Sequence, residues 1–433
     1  MAQSQPPRIE AGEARAVAVS FAYFFCVLTA YYVIRPVREQ LSAAVGSTQL
    51  PIFYAATFVA TLVLTPLFAA LAVRYPRRVL VPVVYGVFIA CLLGFVPLFA
   101  EPGLLSPKGL GAVFYVWLSI FNLFVVSVFW SFMADVWSQA QARRVFPLIA
   151  VGGTAGSILG PILAGLLVGR IGVAPLLAVS ATLLAGALMC ARWLGGWART
   201  HAATAAAAQG QAVHGSMFDG LRQVATDAFV RNMALLMVMS DCIGTINYAL
   251  VADYSGSVFH DAVVRTQFAA QMDLATNVLV VLVQVTITRW LLVRGGAGPV
   301  IGIWAVVTTG VLLWVASVAD PHAPAIAGLP AVALALIISR GLAYGMSGPA
   351  RESLFTRVPR EQRYLGKNAV DTAVWRAGDA ATAWTMNLMR TAGANVPAFA
   401  VLGAGAALMA GALGWRLATQ AVEDESPAPL PAA

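Results

Sequence analysis

Long apolar stretches alternate with short polar segments along most of the chain. An α-helix needs about 20 apolar residues to cross the hydrocarbon core of a bilayer, and each stretch reaches that length. The pattern therefore predicts an all-α membrane protein with twelve transmembrane helices. We place the spans at residues 16–38, 50–73, 79–100, 111–134, 146–169, 171–195, 229–252, 267–291, 297–319, 329–350, 369–390 and 396–418.

The spans fall into two sets of six. The N-terminal half covers residues 16–195 and the C-terminal half residues 229–418, with a polar cytoplasmic connector at 196–228 between them. Residues 1–15 are predicted to be a cytoplasmic tail, and the acidic, Pro-rich residues 419–433 a disordered tail. Two six-helix halves repeated in parallel are typical of the major facilitator superfamily fold.

Composition strengthens this prediction. Of the 433 residues, 60% are hydrophobic and only 11% are charged, a balance typical of integral membrane proteins. The net charge of +8 would favour a nucleic-acid partner in a soluble chain, but here most cations lie in short loops, and no nucleic-acid partner is predicted. With a cytoplasmic N-terminus, the outer segments carry few cations, namely Lys108, Arg170, Arg265 and Arg390. The positive-inside rule therefore places both termini in the cytoplasm.

Motifs for enzymatic chemistry are missing from the sequence. The four cysteines fall inside apolar spans without the spacing of metal ligands. The four histidines lie in loops and connectors, and there is no P-loop, G-x-S-x-G or H-E-x-x-H motif. We therefore predict no enzyme activity, no catalytic or metal-binding residues and no cofactor. The expected partners are the lipid bilayer, a small-molecule substrate and, in a coupled cycle, protons; the expected state is a monomer.

A ladder of small residues marks the fifth predicted span. Gly152, Gly156, Gly160 and Ala164 are four residues apart, so they share one helix face and allow a neighbouring backbone to approach closely. With Pro161, this stretch resembles the G-x-x-x-G-P-x-x-G-G pattern of the fifth helix of proton-coupled drug antiporters, and only Ala164 departs from it. Glycine beside proline permits a bend or close packing, so we expect a structural role for Gly156, Gly160 and Pro161.

Charged residues inside apolar spans are costly in hydrocarbon and indicate a wet cavity or a partner. Arg35, Arg38 and Glu39 lie within about one helical turn near the end of the first span. One hypothesis is that the two guanidinium groups bind an anionic substrate such as a phosphate or carboxylate. The other is that these side chains extend to the membrane surface and have no substrate role.

The eleventh span is unusually polar for a transmembrane helix. Asp371, Trp375 and Asp379 share one face at steps of four residues, and Arg376 lies beside them. A membrane helix that carries this set must point it inward, either toward a substrate or toward an internal salt-bridge network. Both roles remain open from the sequence.

Further polar candidates lie in neighbouring spans. Arg340 in the tenth span is a candidate for substrate binding, and Asp241 in the seventh is another inward charge. Asp273 and Asn277, four residues apart in the eighth span, form one more polar face. Asp241, Asp273 and Asp379 are the candidates for taking up a proton, and the sequence does not select among them.

Two charge clusters lie at predicted cytoplasmic helix ends. One contains Asp135, Arg143 and Arg144, and the other contains Arg351, Glu352 and Arg357. Each could be an inside gate whose charges pair when the cavity faces outward, or each could follow from the positive-inside rule alone.

Three groups of residues, spread over most of the chain, carry a family resemblance. They are Tyr32-x-x-Arg35 with Arg38 and Glu39; Phe129-Trp130 followed by Arg144-x-Phe146-Pro147-Leu148; and Gly366-Lys367-x-Ala369-Val370-Asp371 followed by Arg376-x-Gly378. These residues resemble the nucleotide (ATP/ADP) translocase family of plastids and intracellular bacteria. The resemblance implies a twelve-helix, major-facilitator-like exchanger of a phosphate-bearing anion. Its implied substrate-binding candidates are Arg35, Arg38, Lys367 and Arg376.

Some positions depart from that family. It has a lysine near the outer start of the second helix, where this chain has Tyr54, and another after the arginine of the eleventh helix, where this chain has Asp379. A glutamate of the fourth helix is also missing, because no acidic residue precedes Asp135 there. An aspartate in place of a lysine weakens a site for a highly charged nucleotide. The pattern is closer to that of the free-living bacterial relatives, which implies a bacterial inner membrane.

The leading hypothesis is a secondary transporter of the major facilitator type, an antiporter that exchanges an anionic metabolite, with ATP and ADP as one option. Its two six-helix halves would rock about a midplane site. The alternatives are a proton-coupled exporter of a hydrophobic or cationic compound, a lipid-handling protein, and a membrane scaffold that transports nothing. Asp379 and the glycine–proline pattern favour the exporter, whereas arginines near a leaflet boundary, such as Arg35, could hold a lipid phosphate.

Overall fold

The computed structural model of the chain describes residues 13–75, 77–101, 106–201, 217–355, 367 and 370–423. Regular structure in these ranges is helical apart from one hairpin of two short strands, β1 (Pro324–Ile326) and β2 (Leu329–Pro330). Eleven of the helices are long and apolar enough to cross a membrane. The predicted all-α membrane fold class is confirmed.

The helices of the N-terminal half are α1 (Ala14–Val45), α2 (Leu50–Arg74), α3 (Arg77–Ala100), α4 (Pro107–Val136), α5 (Gln139–Ile171) and α6 (Ala174–His201). A short helix, α7 (Met217–Thr226), follows in the predicted connector. The C-terminal half contains α8 (Ala228–Val258), α9 (Ala262–Val283), α10 (Arg289–Gly295), α11 (Ala297–Ser317), α12 (Ala331–Leu342), α13 (Gly348–Phe355), α14 (Trp375–Thr391) and α15 (Val396–Glu423). Of the predicted tails and connector, residues 1–12, 202–216 and 424–433 lie outside the described residues.

Turns of π-helix modify three of the C-terminal spans. Gln284–Thr288 joins α9 to α10, Ala343–Ser347 joins α12 to α13, and Val370–Val374 leads into α14. A π-helical turn holds more residues than an α-helical one, so it changes the direction of the side chains that flank it. The eighth and tenth predicted spans are each a pair of α-helices joined in this way.

The eleventh predicted span, residues 369–390, is helical but polar. It consists of the turn at Val370–Val374 and α14, and it is not among the eleven helices that length and apolarity identify. Its charged residues Asp371, Arg376 and Asp379 account for this, because they lower its hydropathy. Counted with this helix, the eleven become the twelve spans that were predicted.

The described chain packs as two compact units. The first contains Met1–Val45, Ala60–Gln211 and Phe259–Leu274, as far as these ranges are described. The second contains the described parts of Gly46–Val59, Ala212–Val258 and Ala275–Ala433. The units depart from the two predicted halves in two places, since the start of α2 packs in the second unit and α9 as far as Leu274 packs in the first.

In the first unit, α1 and α5 pack with their backbones close together. A Cβ on Gly156 would lie 2.6 Å from the carbonyl oxygen of Phe25 and 3.0 Å from the amide nitrogen of Thr29. Gly160 faces Tyr32 at a similarly short distance. Side chains at these positions would force α1 and α5 apart. The glycines therefore allow the close helix packing that their spacing predicts.

In the second unit, α8 packs against α12, α14 and α15, and α11 packs against α15. Gly411 and Gly414 on α15 lie against Ala305 and Ile301 on α11, and Trp304 is fully buried. The polar helix α14 therefore has the core helix α8 as its neighbour.

Candidate functional site

Arg35 and Asp273 form a buried ion pair in the first unit. Arg35 Nη1 lies 2.9 Å from Asp273 Oδ1, and each residue is only 4% exposed. Arg35 Nε lies 3.6 Å from Glu39 Oε1, and Arg38 Nη2 lies 2.5 Å from the same oxygen. Arg35, Arg38, Glu39 and Asp273 are termed the arginine cluster. Its two cations and two carboxylates cancel in charge.

Aromatic rings complete the arginine cluster. The guanidinium carbon of Arg35 lies 5.6 Å from the ring centre of Tyr32, and that of Arg38 lies 4.9 Å from the ring centre of Tyr115, distances at which a ring attracts a cation. Arg35 Nη2 is buried and has no hydrogen-bond partner among the described residues. Arg35 is therefore buried within the protein, with one donor that no described residue accepts.

A second polar cluster joins α8 to α14 in the second unit. The indole Nε1–H of Trp375 donates to Asp241 Oδ1 at 2.6 Å, and the hydroxyl of Thr245 donates to Asp379 Oδ1 at 2.8 Å. Arg376 Nη1 lies 3.6 Å from Asp379 Oδ2. These five residues are termed the α8–α14 cluster. Thr245 is a member that sequence analysis missed, because a lone threonine in an apolar helix carries no signal.

Asp371 lies apart from the α8–α14 cluster, although helical spacing put it on the same face. It falls in the π-helical turn at Val370–Val374, and its Oδ1 lies 3.4 Å from Arg351 Nη2. Arg351 Nη2 also lies 3.4 Å from Glu352 Oε1, and Lys367 pairs with the second oxygen of that carboxylate. The structure therefore brings Lys367 and Asp371 to the Arg351–Glu352 pair rather than to Asp379.

Arg340 differs from Arg35, Arg38 and Arg376, each of which has a carboxylate at ion-pair distance. It lies near the middle of the span Ala331–Phe355, with its guanidinium carbon 5.7 Å from the ring centre of Tyr344. Among the described residues it has no carboxylate at ion-pair distance. The neighbouring Ser339 accepts a hydrogen bond of 3.0 Å from the side-chain amide of Asn247, which ties this part of α12 to α8. Arg340 is thus a partly buried cation whose charge no described carboxylate balances.

The predicted cytoplasmic cluster has an additional member. Arg144 Nη2 lies 3.0 Å from Glu13 Oε1, and the side-chain amide of Gln141 donates to the same oxygen at 2.7 Å. Asp135 and Arg143 have exposed side chains. Glu13 falls in the segment expected to be a tail, so no pattern marked it as a partner of Arg144.

Two further candidates are buried within the second unit. Tyr54 on α2 is 5% exposed, and Asn277 on α9 is 8% exposed. Their burial is compatible with packing as well as with a site.

Sequence analysis also missed an ion-pair network near the ends of α8 and α14. Asp253 accepts hydrogen bonds from Ser47 and from Arg390, a residue identified from sequence only as an outer cation. The available signal was an acidic residue near the end of an apolar helix, which does not identify its partner.

No family model and no curated protein sequence matches the chain, but solved structures match it over nearly its whole length. A bacterial homologue of the human lysosomal transporter Spinster is 11% identical, with a TM-score of 0.61 over 97% of this chain and 100% of that chain. The nucleoside transporter NupG is 14% identical, with a TM-score of 0.63 over 94% and 99%. The POT family transporter PepTSo is 14% identical, with a TM-score of 0.64 over 97% and 100%.

At these identities the likeness shows the fold alone. The chain has the major facilitator fold that its pattern of spans predicts, and the structures that it resembles are described as transporters.

Proposed function

We propose that this chain is a secondary transporter, an antiporter that exchanges anionic, phosphate-bearing metabolites by alternating access. The observation that carries the proposal is the unbalanced guanidinium of Arg340 within a transmembrane span. ATP and ADP are the first substrates to test, because the short motifs that resemble nucleotide translocases are spread over most of the chain.

A cation in a membrane span is costly unless water or an anion balances its charge. A phosphate-bearing substrate supplies that charge, and a guanidinium group can bind two phosphate oxygens at once. Arg376 is the second candidate for such contact, since its ion pair with Asp379 is long, at 3.6 Å.

We infer a smaller role in substrate binding for Arg35 and Arg38 than for Arg340. Arg35 and Arg38 already have carboxylate partners, so an anion would have to compete with Asp273 and Glu39 for them. The open Nη2 donor of Arg35 is the atom that a substrate oxygen could reach without displacing a carboxylate.

A proton-coupled exporter is the second candidate function, and the α8–α14 cluster favours it. Asp241 and Asp379 lie on neighbouring helices, and Arg376 is paired with only one of them. Two carboxylates beside one guanidinium leave a negative charge to balance, which a proton or a cationic compound can supply.

We also propose that the protein lies in a bacterial inner membrane as a monomer, with both termini in the cytoplasm. The distribution of arginines between the predicted inner and outer loops supports this orientation.

The test is counterflow of labelled ATP and ADP into proteoliposomes that are loaded with unlabelled nucleotide. Arg340→Gln should lower uptake about tenfold or more, because it removes the charge that binds phosphate. Arg294→Gln is the matched control, because Arg294 also lies over an aromatic ring of its own helix, 4.9 Å from Trp290, but at the end of α10. It should transport within about twofold of the unchanged protein.

Counterflow that persists in Arg340→Gln would show that the anion does not bind at Arg340. No counterflow from monodisperse protein, with inorganic phosphate and sugar phosphates also inactive as competitors, would contradict the anion exchanger. Efflux of a cationic dye driven by a pH gradient would then favour the second candidate.

A further inference from the structure

Ser47, Asp253 and Arg390 form a compact polar network. The backbone N–H of Ser47 donates to Asp253 Oδ1 at 3.0 Å, and its hydroxyl donates to Oδ2 at 2.7 Å. Arg390 Nη2 lies 2.9 Å from Asp253 Oδ2 and 2.6 Å from the hydroxyl oxygen of Ser47. A single carboxylate is thus held by a serine from one side and by a guanidinium from the other.

Neighbouring contacts extend this network. The side-chain N–H of Asn387, one helical turn before Arg390, donates to the carbonyl oxygen of Thr48 at 2.9 Å. The side-chain oxygen of Asn387 accepts a bond of the same length from Arg390 Nη1. The guanidinium carbon of Arg390 also lies 5.3 Å from the ring centre of Phe399. Ser47 and Thr48, which precede α2, are therefore both bonded to residues of α14.

The members of the network come from distant parts of the chain. Ser47 follows α1, whereas Asp253 and Arg390 lie near the ends of α8 and α14. Gly46 adopts a φ of +90°, which lets the chain turn between α1 and the start of α2. With the N-terminus in the cytoplasm, the ends of α1, α8 and α14 all lie on the outer side of the membrane.

We propose that Ser47, Asp253 and Arg390 form an outer latch, which holds the start of α2 against α8 and α14 and opens once in each transport cycle. Ser47 belongs by sequence to the N-terminal six-helix half, although it packs in the second unit with Asp253 and Arg390, which belong to the C-terminal half. Rocking of the halves requires bonds between them on one side to break when that side opens. The inference rests on the proposed transport by alternating access, but not on the identity of the substrate.

The exposure of the latch residues suits repeated opening. The side chain of Asp253 is 40% exposed and that of Arg390 is 21% exposed, so water can solvate both charges when they separate. Exposed ion pairs contribute little net stability and are easily exchanged for water. The ion pair of Arg35 and Asp273 is less suited to repeated opening, because it is buried and its separation would leave two charges without solvent.

The test measures how fast a cysteine below the latch reacts with a water-soluble maleimide. Thr57 lies on α2, about 15 Å further along the helix than Ser47, and its hydroxyl is buried without a hydrogen-bond partner among the described residues. Thr57→Cys is introduced after the native cysteines have been replaced by alanine. The purified full chain is labelled in nanodiscs, where both membrane faces are accessible and no substrate is needed, and labelling is read by mass spectrometry.

Asp253→Asn and Arg390→Gln should each raise the labelling rate of the reporter thiol about fivefold, because the latch is open for more of the time. Asp320→Asn is the matched control, since Asp320 is an exposed loop residue whose carboxylate accepts a bond from the backbone of His322. It should leave the rate unchanged. A disulfide formed in Ser47→Cys/Asp253→Cys should suppress labelling at least about tenfold, and a reductant should restore it.

Unchanged labelling in Asp253→Asn and Arg390→Gln, or continued labelling of the cross-linked protein, would overturn the latch. Ser47→Ala keeps the ion pair and should give a smaller increase, so it provides the test if the charge variants fail to fold. Labelling that depends on the latch, together with absent nucleotide counterflow, would contradict the substrate assignment and leave the latch supported.

Discussion

Arg35 Nη1 and Asp273 Oδ1 lie 2.9 Å apart, and both side chains are almost wholly removed from solvent. The pair joins α1 to the middle of α9 within the first unit. Sequence analysis gave these residues separate roles, Arg35 as a substrate ligand and Asp273 as a proton carrier. Because they are ion-pair partners, a substitution of one also changes the charge balance around the other.

Asp273→Asn should therefore destabilise the protein strongly. Removing one partner of a buried ion pair leaves an uncompensated charge, at a cost of about 3–5 kcal/mol. The double variant Arg35→Gln/Asp273→Asn removes both charges and should recover most of that loss, as measured by thermal unfolding in detergent. The exposed control Asp320→Asn should unfold like the unchanged protein. If the loss of stability in the double variant equals the sum of the losses in the two single variants, the pairing is contradicted.

The indole of Trp375 should contribute to stability through its bond with Asp241. Trp375→Phe keeps the aromatic packing but leaves the Asp241 carboxylate without this donor, which should cost about 1–2 kcal/mol. Trp384 on the same helix is 59% exposed, so Trp384→Phe is the control and should have little effect. The thermal unfolding midpoints of the two variants provide the comparison. Equal midpoints would show that the bond contributes nothing measurable.

The architecture was predictable because hydrocarbon imposes a length and an apolar surface on every span. The span predicted at residues 50–73 corresponds to Leu50–Arg74, and that predicted at 297–319 corresponds to Ala297–Ser317. The inward direction of Asp379 was predictable for the same reason, since lipid does not solvate a carboxylate. The positions of apolar and charged residues along a span thus indicate which parts of the helix face lipid and which face protein.

The partners within the site were not predictable, because they depend on which helices become neighbours. Asp241 and Trp375 are 134 residues apart in sequence, as are Thr245 and Asp379. Asp371 was placed on the face of Asp379 by assuming α-helical spacing, whereas a π-helical turn intervenes and Asp371 pairs with Arg351. A local deviation in helix geometry of this kind leaves no signature in the periodicity of the sequence.

The contact between α1 and α5 should not tolerate a larger residue at Gly156. Gly156→Val places methyl groups where the backbone of α1 lies, and overpacking of this kind costs about 1–3 kcal/mol or prevents folding. Gly94→Val on α3 is the control, because a Cβ at Gly94 would meet no atom within 4 Å. Size-exclusion chromatography and thermal unfolding of both variants test the prediction. A Gly156→Val protein as stable as Gly94→Val would mean that the helices can separate without loss.

Asp379→Asn should increase the affinity for a phosphate-bearing substrate if the proposed function is correct. The substitution removes a negative charge and frees Arg376, whose Nη1 lies 3.6 Å from the carboxylate, so a gain of about fivefold is expected. The half-saturating concentration in counterflow measures this gain, and it should shrink at high ionic strength. Asp379→Glu keeps the charge and should show no gain, whereas Asp379→Lys, which restores the charge of the translocase family, should show a larger one. In a proton-coupled exporter the same Asp379→Asn would instead abolish transport driven by a pH gradient, so this one position separates the two candidate functions.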